Sequence, residues 1–226
     1  MNILGFDTSL DKMYLGLMTD KNNVITREVS SDKDKYHSAY LIPVIKELLN
    51  LNNLKMQDIN GLVVGVGPGS FTGIRASVTI GRIMGQMLDL PVVSVSSLEI
   101  LSGINSTEKP VICMLDARKE MVYFALFDKN NELKEPITAI LFEDALKKIK
   151  DEDCFIVTDK NIQKKLEEQG INSVNYLDSN YNFGERLLKL GERALSKDKN
   201  HPWYELKPLY IQPPPIHQGC KATKKA

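Results

Sequence analysis

The stretch GLVVGVGPGSFTGIR, Gly61 to Arg75, decides how the rest of the chain is read. Leu62 to Val66 is apolar without polar alternation, the pattern of a strand buried on both faces. Gly67-Pro68-Gly69 breaks that run as a turn, and Ser70 or Thr72 can cap the helix that follows to about Asp89. Along this helix Gly73, Ser77, Gly81 and Gly85 recur four apart and fall on one stripe, beside Ile74, Val78, Ile80, Ile83, Met84, Met87 and Leu88. Glycine inside a helix costs roughly 1 kcal/mol relative to alanine. The stripe therefore predicts close approach of a second helix, either within the same domain or from another chain. Arg75, Arg82, Gln86 and Asp89 exclude a membrane span.

Working outward, Asn2 to Phe6 and Met13 to Thr19 read as a hairpin around the polar turn Asp7-Thr8-Ser9-Leu10-Asp11-Lys12, with a third strand at Val24 to Val29. Tyr40, Leu41, Val44, Ile45, Leu48 and Leu49 repeat at helical spacing, and Pro43 starts or kinks that helix. Pro91 to Val95 reads as a strand, and Ser96-Ser97-Leu98-Glu99 has the spacing of a capping box. The polar run Ser102 to Pro110 marks a boundary. Beyond it the opening recurs: ILGFDTSLDKMYLGLMTDKNN from Ile3 aligns with ICMLDARKEMVYFALFDKNN from Ile112, which predicts a duplicated unit of about 100 residues. The second unit continues with a helix from Phe142 to Lys150, a strand from Cys154 to Thr158, a helix from Asn161 to Glu168, a short strand near Val174 to Leu177 and a helix from Phe183 to Ser196. From Lys197 the chain turns polar and proline-rich. The domains are therefore expected at 1–105 and 106–200, with an extended, partly disordered tail at 201–226.

In 226 residues, 29 basic side chains balance 29 acidic ones, so no overall positive surplus steers the chain to a nucleic-acid backbone. Cys113, Cys154 and Cys220 are widely spaced and odd in number, which predicts neither a disulfide framework nor a zinc site. The start MNILGFDTS lacks a basic segment ahead of an apolar core, and no apolar run reaches spanning length, so a cytoplasmic location is expected. Only His37, His201 and His217 are present, without paired-histidine spacing, so a metallopeptidase is not expected. His37, at the start of a helix, is expected to cap or pack. The Gly67-Pro68-Gly69 loop lacks the lysine of a P-loop, since Thr72-Gly73-Ile74 does not match its ending. Arg75 is the residue of this motif most able to reach an anion or a partner's carboxylate.

The nonapeptide GPGSFTGIR, Gly67 to Arg75, closely resembles the hallmark of the TsaB family of bacterial tRNA threonylcarbamoyladenosine biosynthesis proteins, once called glycoprotease-like. GFDTS from Gly5, HSAYLIPVIKELL from His37 and PVVSVSSLEIL from Pro91 extend the resemblance. It implies an α/β fold of two tandem actin/Hsp70/sugar-kinase-like (ASKHA) domains of duplicated topology. It also implies a non-catalytic subunit that forms a heterodimer with the catalytic paralogue TsaD and works with the ATPase TsaE, reaching tRNA mainly through its partners. TsaD transfers a threonylcarbamoyl group to the adenosine beside the anticodon. A homodimer is expected when the partner is missing. The partner surface is expected on the two helices of the first domain, at Tyr40, Val44, Phe71, Gly73, Arg75, Ser77, Ile80, Gly81, Met84 and Gly85, next to the motif loop of Gly67, Pro68, Gly69, Ser70 and Thr72. Relatives commonly carry glutamate where Ala39 stands and arginine where Gln212 stands. The Asp7-Thr8-Ser9 turn sits where superfamily kinases hold phosphate and metal, and it is read either as a nucleotide contact or as a turn that is only structural. No cofactor is expected to bind tightly, ATP or ADP entering only at the level of the complex. Thr8 replaces the glycine those kinases place beside the aspartate, Asp116-Ala117-Arg118 is the matching second turn, and Val157-Thr158-Asp159-Lys160 lacks the glycines that admit adenosine. The alternative reading is a small ATP-dependent kinase or ATPase of the same superfamily.

Overall fold

The computed structural model describes residues 1–19, 23–30, 37–151, 153–198 and 200–211, with the backbone alone at 37 and 38. Asp20, Lys21 and Asn22 of the repeated opening, the side chain of His37, and Gln212, His217, Cys220 and the tail beyond 211 lie outside the described residues.

The first sheet has the order β3-β2-β1-β4-β5. Strands β1 (Ile3–Asp7), β2 (Lys12–Met18) and β3 (Val24–Ser30) form an antiparallel meander, while β4 (Gly61–Gly65) and β5 (Val92–Val95) add in parallel beside β1. Every residue of β4 is buried, as its unbroken apolar run predicts. Between β3 and β4 a 3-10 turn at His37–Tyr40 leads into α1 (Leu41–Leu51), which places Pro43 in the first helical turn, where its missing N–H is tolerated. Helix α2 (Phe71–Leu88) connects β4 to β5. Ser70 caps it by accepting a hydrogen bond from the Gly73 N–H at 3.3 Å. The short α3 (Ser97–Ser102) follows β5 and opens with the capping box formed by Ser96 and Glu99.

The second sheet has the order β10-β9-β6-β7-β8. Its strands are β6 (Val111–Asp116), β7 (Met121–Phe127), β8 (Thr138–Leu141), β9 (Phe155–Thr158) and β10 (Val174–Asn175). Helices α4 (Phe142–Asp151) and α5 (Lys160–Glu167) precede and follow β9. Read from its far edge, this order and its strand directions match the first sheet, with β6 in the place of β1. Strand β8 is absent from the sequence reading because its four residues are half exposed and run directly into α4.

Helix α6 (Phe183–Lys197), expected in the second unit from its place in the chain, instead crosses back to the first sheet. Leu187 and Leu188 lie against Gly5, and a Cβ added at Gly191 would collide with Val63. Two layers therefore cover the first sheet. Helices α1 and α2 share a core with Leu4, Phe6, Leu15, Leu62 and Val64 on one face. On the other, α6 shares a core with Ile3, Tyr14 and Val63 that continues into Val111, Cys113 and Val157 of the second sheet. The two sheets thus meet through one apolar cluster.

The chain after α6 also departs from expectation. Residues 201–211 do not trail away: they lie along α2, with a 3-10 turn at Trp203–Glu205 and a fully buried Leu206. The His201 carbonyl accepts a hydrogen bond from the Val92 N–H at 2.8 Å, and the Leu209 N–H donates to the Val66 carbonyl at 2.9 Å, which pins this strap at both ends.

Candidate functional site

The motif loop, the first hairpin turn and the starts of two helices converge on one polar knot. Asp7, Thr8 and Ser9 are fully buried in it. The Asp7 carboxylate accepts from the Ser9 N–H and the Ser9 hydroxyl, each at 2.6 Å, through Oδ1 and from the Ser97 hydroxyl at 3.1 Å through Oδ2. The Ser9 and Ser97 oxygens are 2.6 Å apart. Thr8 donates its N–H to Ser77 Oγ at 3.0 Å and its hydroxyl to the Gly73 carbonyl at 2.6 Å. The Ser9 carbonyl in turn accepts from the Ser70 N–H at 2.7 Å, and the Gly67 carbonyl from the Ser97 N–H at 2.8 Å. The side chains of Asp7, Thr8, Ser9, Ser77 and Ser97 find their partners inside the chain, as burial demands.

Glycine makes this closeness possible. Gly67 and Gly69 hold φ of 94° and 153°, conformations L side chains rarely adopt, and a Cβ at Gly69 would collide with the Ser9 carbonyl. At Gly65 it would collide with Asp7, and at Gly73 with the Thr8 carbonyl. In this structure none of the three side chains expected to contact a nucleotide is open to a ligand. Thr8 fills the space beside Asp7 and bonds α2 through Ser77 and the Gly73 carbonyl.

The stripe expectation is corrected by the same geometry. Gly73, Ser77, Gly81 and Gly85 are buried, and so is Met84. A Cβ at Gly81 would sit 2.7 Å from Val64 Cγ2 and 2.9 Å from Leu206 Cδ2, and one at Gly85 would sit 2.6 Å from Val92 Cγ2 and 2.7 Å from the Trp203 Cβ. The stripe therefore receives the hairpin turn, the sheet and the strap rather than another chain. Of the other residues expected at a partner surface, Phe71 and Arg75 are exposed, while Tyr40, Val44 and Ile80 are partly exposed. The outward arc of α2 runs instead through Phe71, Arg75, Thr79, Ile83 and Met87, with Phe71, Ile83 and Met87 at 46%, 47% and 78% exposure. On α1, Ile42 and Leu51 are also exposed.

Between the sheets, side chains fill the space. Tyr14 packs on Phe183 at 4.9 Å between ring centroids, and Tyr176 and Tyr181 pack edge-on to the same ring. The Tyr176 hydroxyl donates to Asp11 Oδ2 at 2.6 Å and accepts the Asp11 N–H at 3.1 Å, tying the first hairpin turn to the second sheet. Burial, helped by the neighbouring Asp11 carboxylate, pushes the Tyr176 phenol well above its ordinary range, and burial does the same to Tyr14. Both stay neutral.

In the second half, the Asp116 carboxylate accepts from the Arg118 N–H at 2.8 Å and from Asn161 at 3.2 Å. Asp159 caps α5 through the Ile162 N–H at 2.9 Å and accepts the Asp116 N–H, and burial raises its pKa. The stretch expected to stand for an adenosine-admitting turn is thus a helix cap. Among the described residues no three histidine, cysteine, aspartate or glutamate side chains converge as metal ligands, and no helix is long and apolar enough to cross a membrane.

Sequence reading missed Ser97, Asp11, Tyr176 and the strap. The strap had a signal, Trp203, Leu206 and Leu209 at every third position, hidden among polar residues. Ser97 carried none beyond its place beside a helix cap.

Residues 23–190 match the family model described as TsaD: tRNA N6-adenosine threonylcarbamoyltransferase. The tRNA threonylcarbamoyladenosine biosynthesis protein TsaB of Bacillus subtilis is 30% identical over 206 residues, covering 88% of each chain. TsaB of Escherichia coli is 28% identical over 133 residues, 58% of this chain and 56% of that one. Among solved structures, YeaZ from Pseudomonas aeruginosa superposes with a TM-score of 0.75 at 22% identity, covering 92% of this chain and 99% of that one.

Proposed function

The chain belongs to the TsaB family, and from that premise we propose that it takes part in tRNA threonylcarbamoyladenosine synthesis as a non-catalytic subunit that binds and supports a TsaD-type partner. The observation that carries this reading is the closed polar knot at Asp7, Thr8 and Ser9, together with the aromatic packing between the sheets. The positions from which a superfamily kinase handles ATP are here spent on holding the fold. What the chain offers outward is a helical surface, and the exposed apolar residues of α1 and α2 lie on the same side of the first sheet. The partner docks there, on the arc of Phe71, Arg75, Ile83 and Met87 rather than on the buried stripe.

The equal strand orders of the two sheets support a duplicated unit of the actin, Hsp70 and sugar-kinase type. The TsaE-type ATPase and the tRNA are met through the complex, in the cytoplasm, and a homodimer forms when the partner is absent. Reconstituted threonylcarbamoyl transfer tests the reading: supplied with threonylcarbamoyl-adenylate as the donor, which leaves AMP, the partner and the ATPase should modify tRNA only when this chain is added. Titration of the chain alone with ATP and magnesium should give no binding and no turnover. Transfer at full rate without the chain, or ATP hydrolysis by the chain alone, would overturn it.

A further inference from the structure

Helix α2 carries two cations, Arg75 and Arg82, and no carboxylate. Seven residues apart, they stand on one line of the helix, about 10 Å from each other. On neighbouring α1, Lys46 is exposed, and Glu47 is engaged by Arg27 at 3.1 Å. Among the described residues no carboxylate lies within ion-pair reach of Arg75, Arg82 or Lys46. Each arginine is held against a ring: Arg75 lies 5.3 Å from the Phe71 centroid, and Arg82 lies 5.7 Å from that of Trp203. Phe71 is itself stacked on Tyr210 of the strap, at 5.5 Å. A guanidinium resting on an aromatic face keeps its donor edges turned outward and loses less freedom on pairing.

Resting on the reading that this face receives a TsaD-type partner, we propose that Arg75 and Arg82 determine which partner it accepts: one that presents carboxylates to both. A second copy docking through the same face around a two-fold axis would bring the same patch against itself, arginines toward arginines. Like charges across an interface are costly, so the pair favours an acidic hetero-partner over self-association. The apolar residues around them decide between protein and nucleic acid. Phe71, Ile83 and Met87 expose area that a phosphate backbone does not cover, whereas an interface core of aromatic, methionine and arginine is the usual composition of a protein-docking surface.

The test uses the full chain and the TsaD paralogue of the same organism, with affinity measured by calorimetry at low and high salt and self-association by sedimentation. The double variant Arg75→Gln/Arg82→Gln should bind the paralogue at least about tenfold more weakly, with a flatter salt dependence, while its self-association strengthens. Loss of fold would weaken both, so the opposite signs separate specificity from instability, and a melting curve on each protein checks it. Arg75→Glu/Arg82→Glu should weaken the heterodimer further. Tight binding of the paralogue by wild type and Gln variant alike, with the same salt dependence, overturns this proposal and leaves the proposed function standing. Failure of the wild type to bind the paralogue overturns both. Loss of tRNA affinity with partner binding intact would assign the arginines to RNA and overturn the proposal as well.

Discussion

Ser77 shows how much structure a single buried hydroxyl can hold. It accepts the Thr8 N–H and lies 2.7 Å from the Thr8 hydroxyl, which in turn reaches the Gly73 carbonyl. Ser77→Ala removes the acceptor of a buried N–H, so urea denaturation should show a loss of about 2 kcal/mol. Gly73→Ala should cost more, about 3 kcal/mol, because the added Cβ meets backbone that cannot swing aside. Glu99 offers a pH test. Its carboxylate accepts the Ser96 N–H at 2.8 Å, yet burial raises its pKa above the ordinary 4.5, with that hydrogen bond and nearby Arg186 pulling the other way. The folded protein therefore holds this proton more tightly than the unfolded chain. Its stabilising contribution is complete below 4.5 and is lost as pH rises through the raised value. Thermal melts should show Glu99→Gln more stable than wild type at neutral pH, the gap closing below 4.5. At this scale the sequence displayed the Ser96 and Glu99 capping box and the Ser70 cap, because caps depend on local spacing. It did not display that Ser77 meets Thr8 or that Ser97 meets Asp7, because those contacts span 69 and 90 residues.

Helix α2 was legible as an element and misleading as a surface. Four-residue spacing places Gly73, Ser77, Gly81 and Gly85 on one side, but spacing alone carries no information about what fills that side. The strap supplies the answer, since Leu206 and Trp203 occupy space opened by Gly81 and Gly85. Gly81→Leu should therefore lower the stability of the isolated chain by several kcal/mol, roughly the upper range for overpacking, instead of blocking a partner and sparing the fold. Equilibrium unfolding of the variant decides between the two. Removing the strap by ending the chain at residue 200 should likewise destabilise it, by about 2 kcal/mol or more from Leu206 alone, and should leave Gly81 and Gly85 uncovered. Strands β1, β2, β4 and β6 were readable because they are apolar and bounded by clear turns. Strand β8 and the strap, which gain their order from tertiary contacts, were not.

For the whole molecule, the repeated opening pointed to two like sheets, and the two strand orders agree with each other. Where the halves join was not legible. A boundary drawn at the polar run after Ser102 assigns α6 to the second half, but the helix uses the first sheet as its floor and seals the space between the sheets with Phe183 and Leu187. Amphipathic periodicity tells that a helix has an apolar face and not which sheet receives it. The consequence is a molecule whose space between the sheets is filled by side chains and whose helices α1 and α2 leave apolar side chains exposed, in keeping with the proposed partner-binding role. The most direct test is the solution mass of this chain mixed with the TsaD paralogue of its own organism, by light scattering on a sizing column. A stable one-to-one complex is expected, weakened by charge changes at Arg75 and Arg82. Two proteins that elute unassociated, with or without nucleotide, would contradict it.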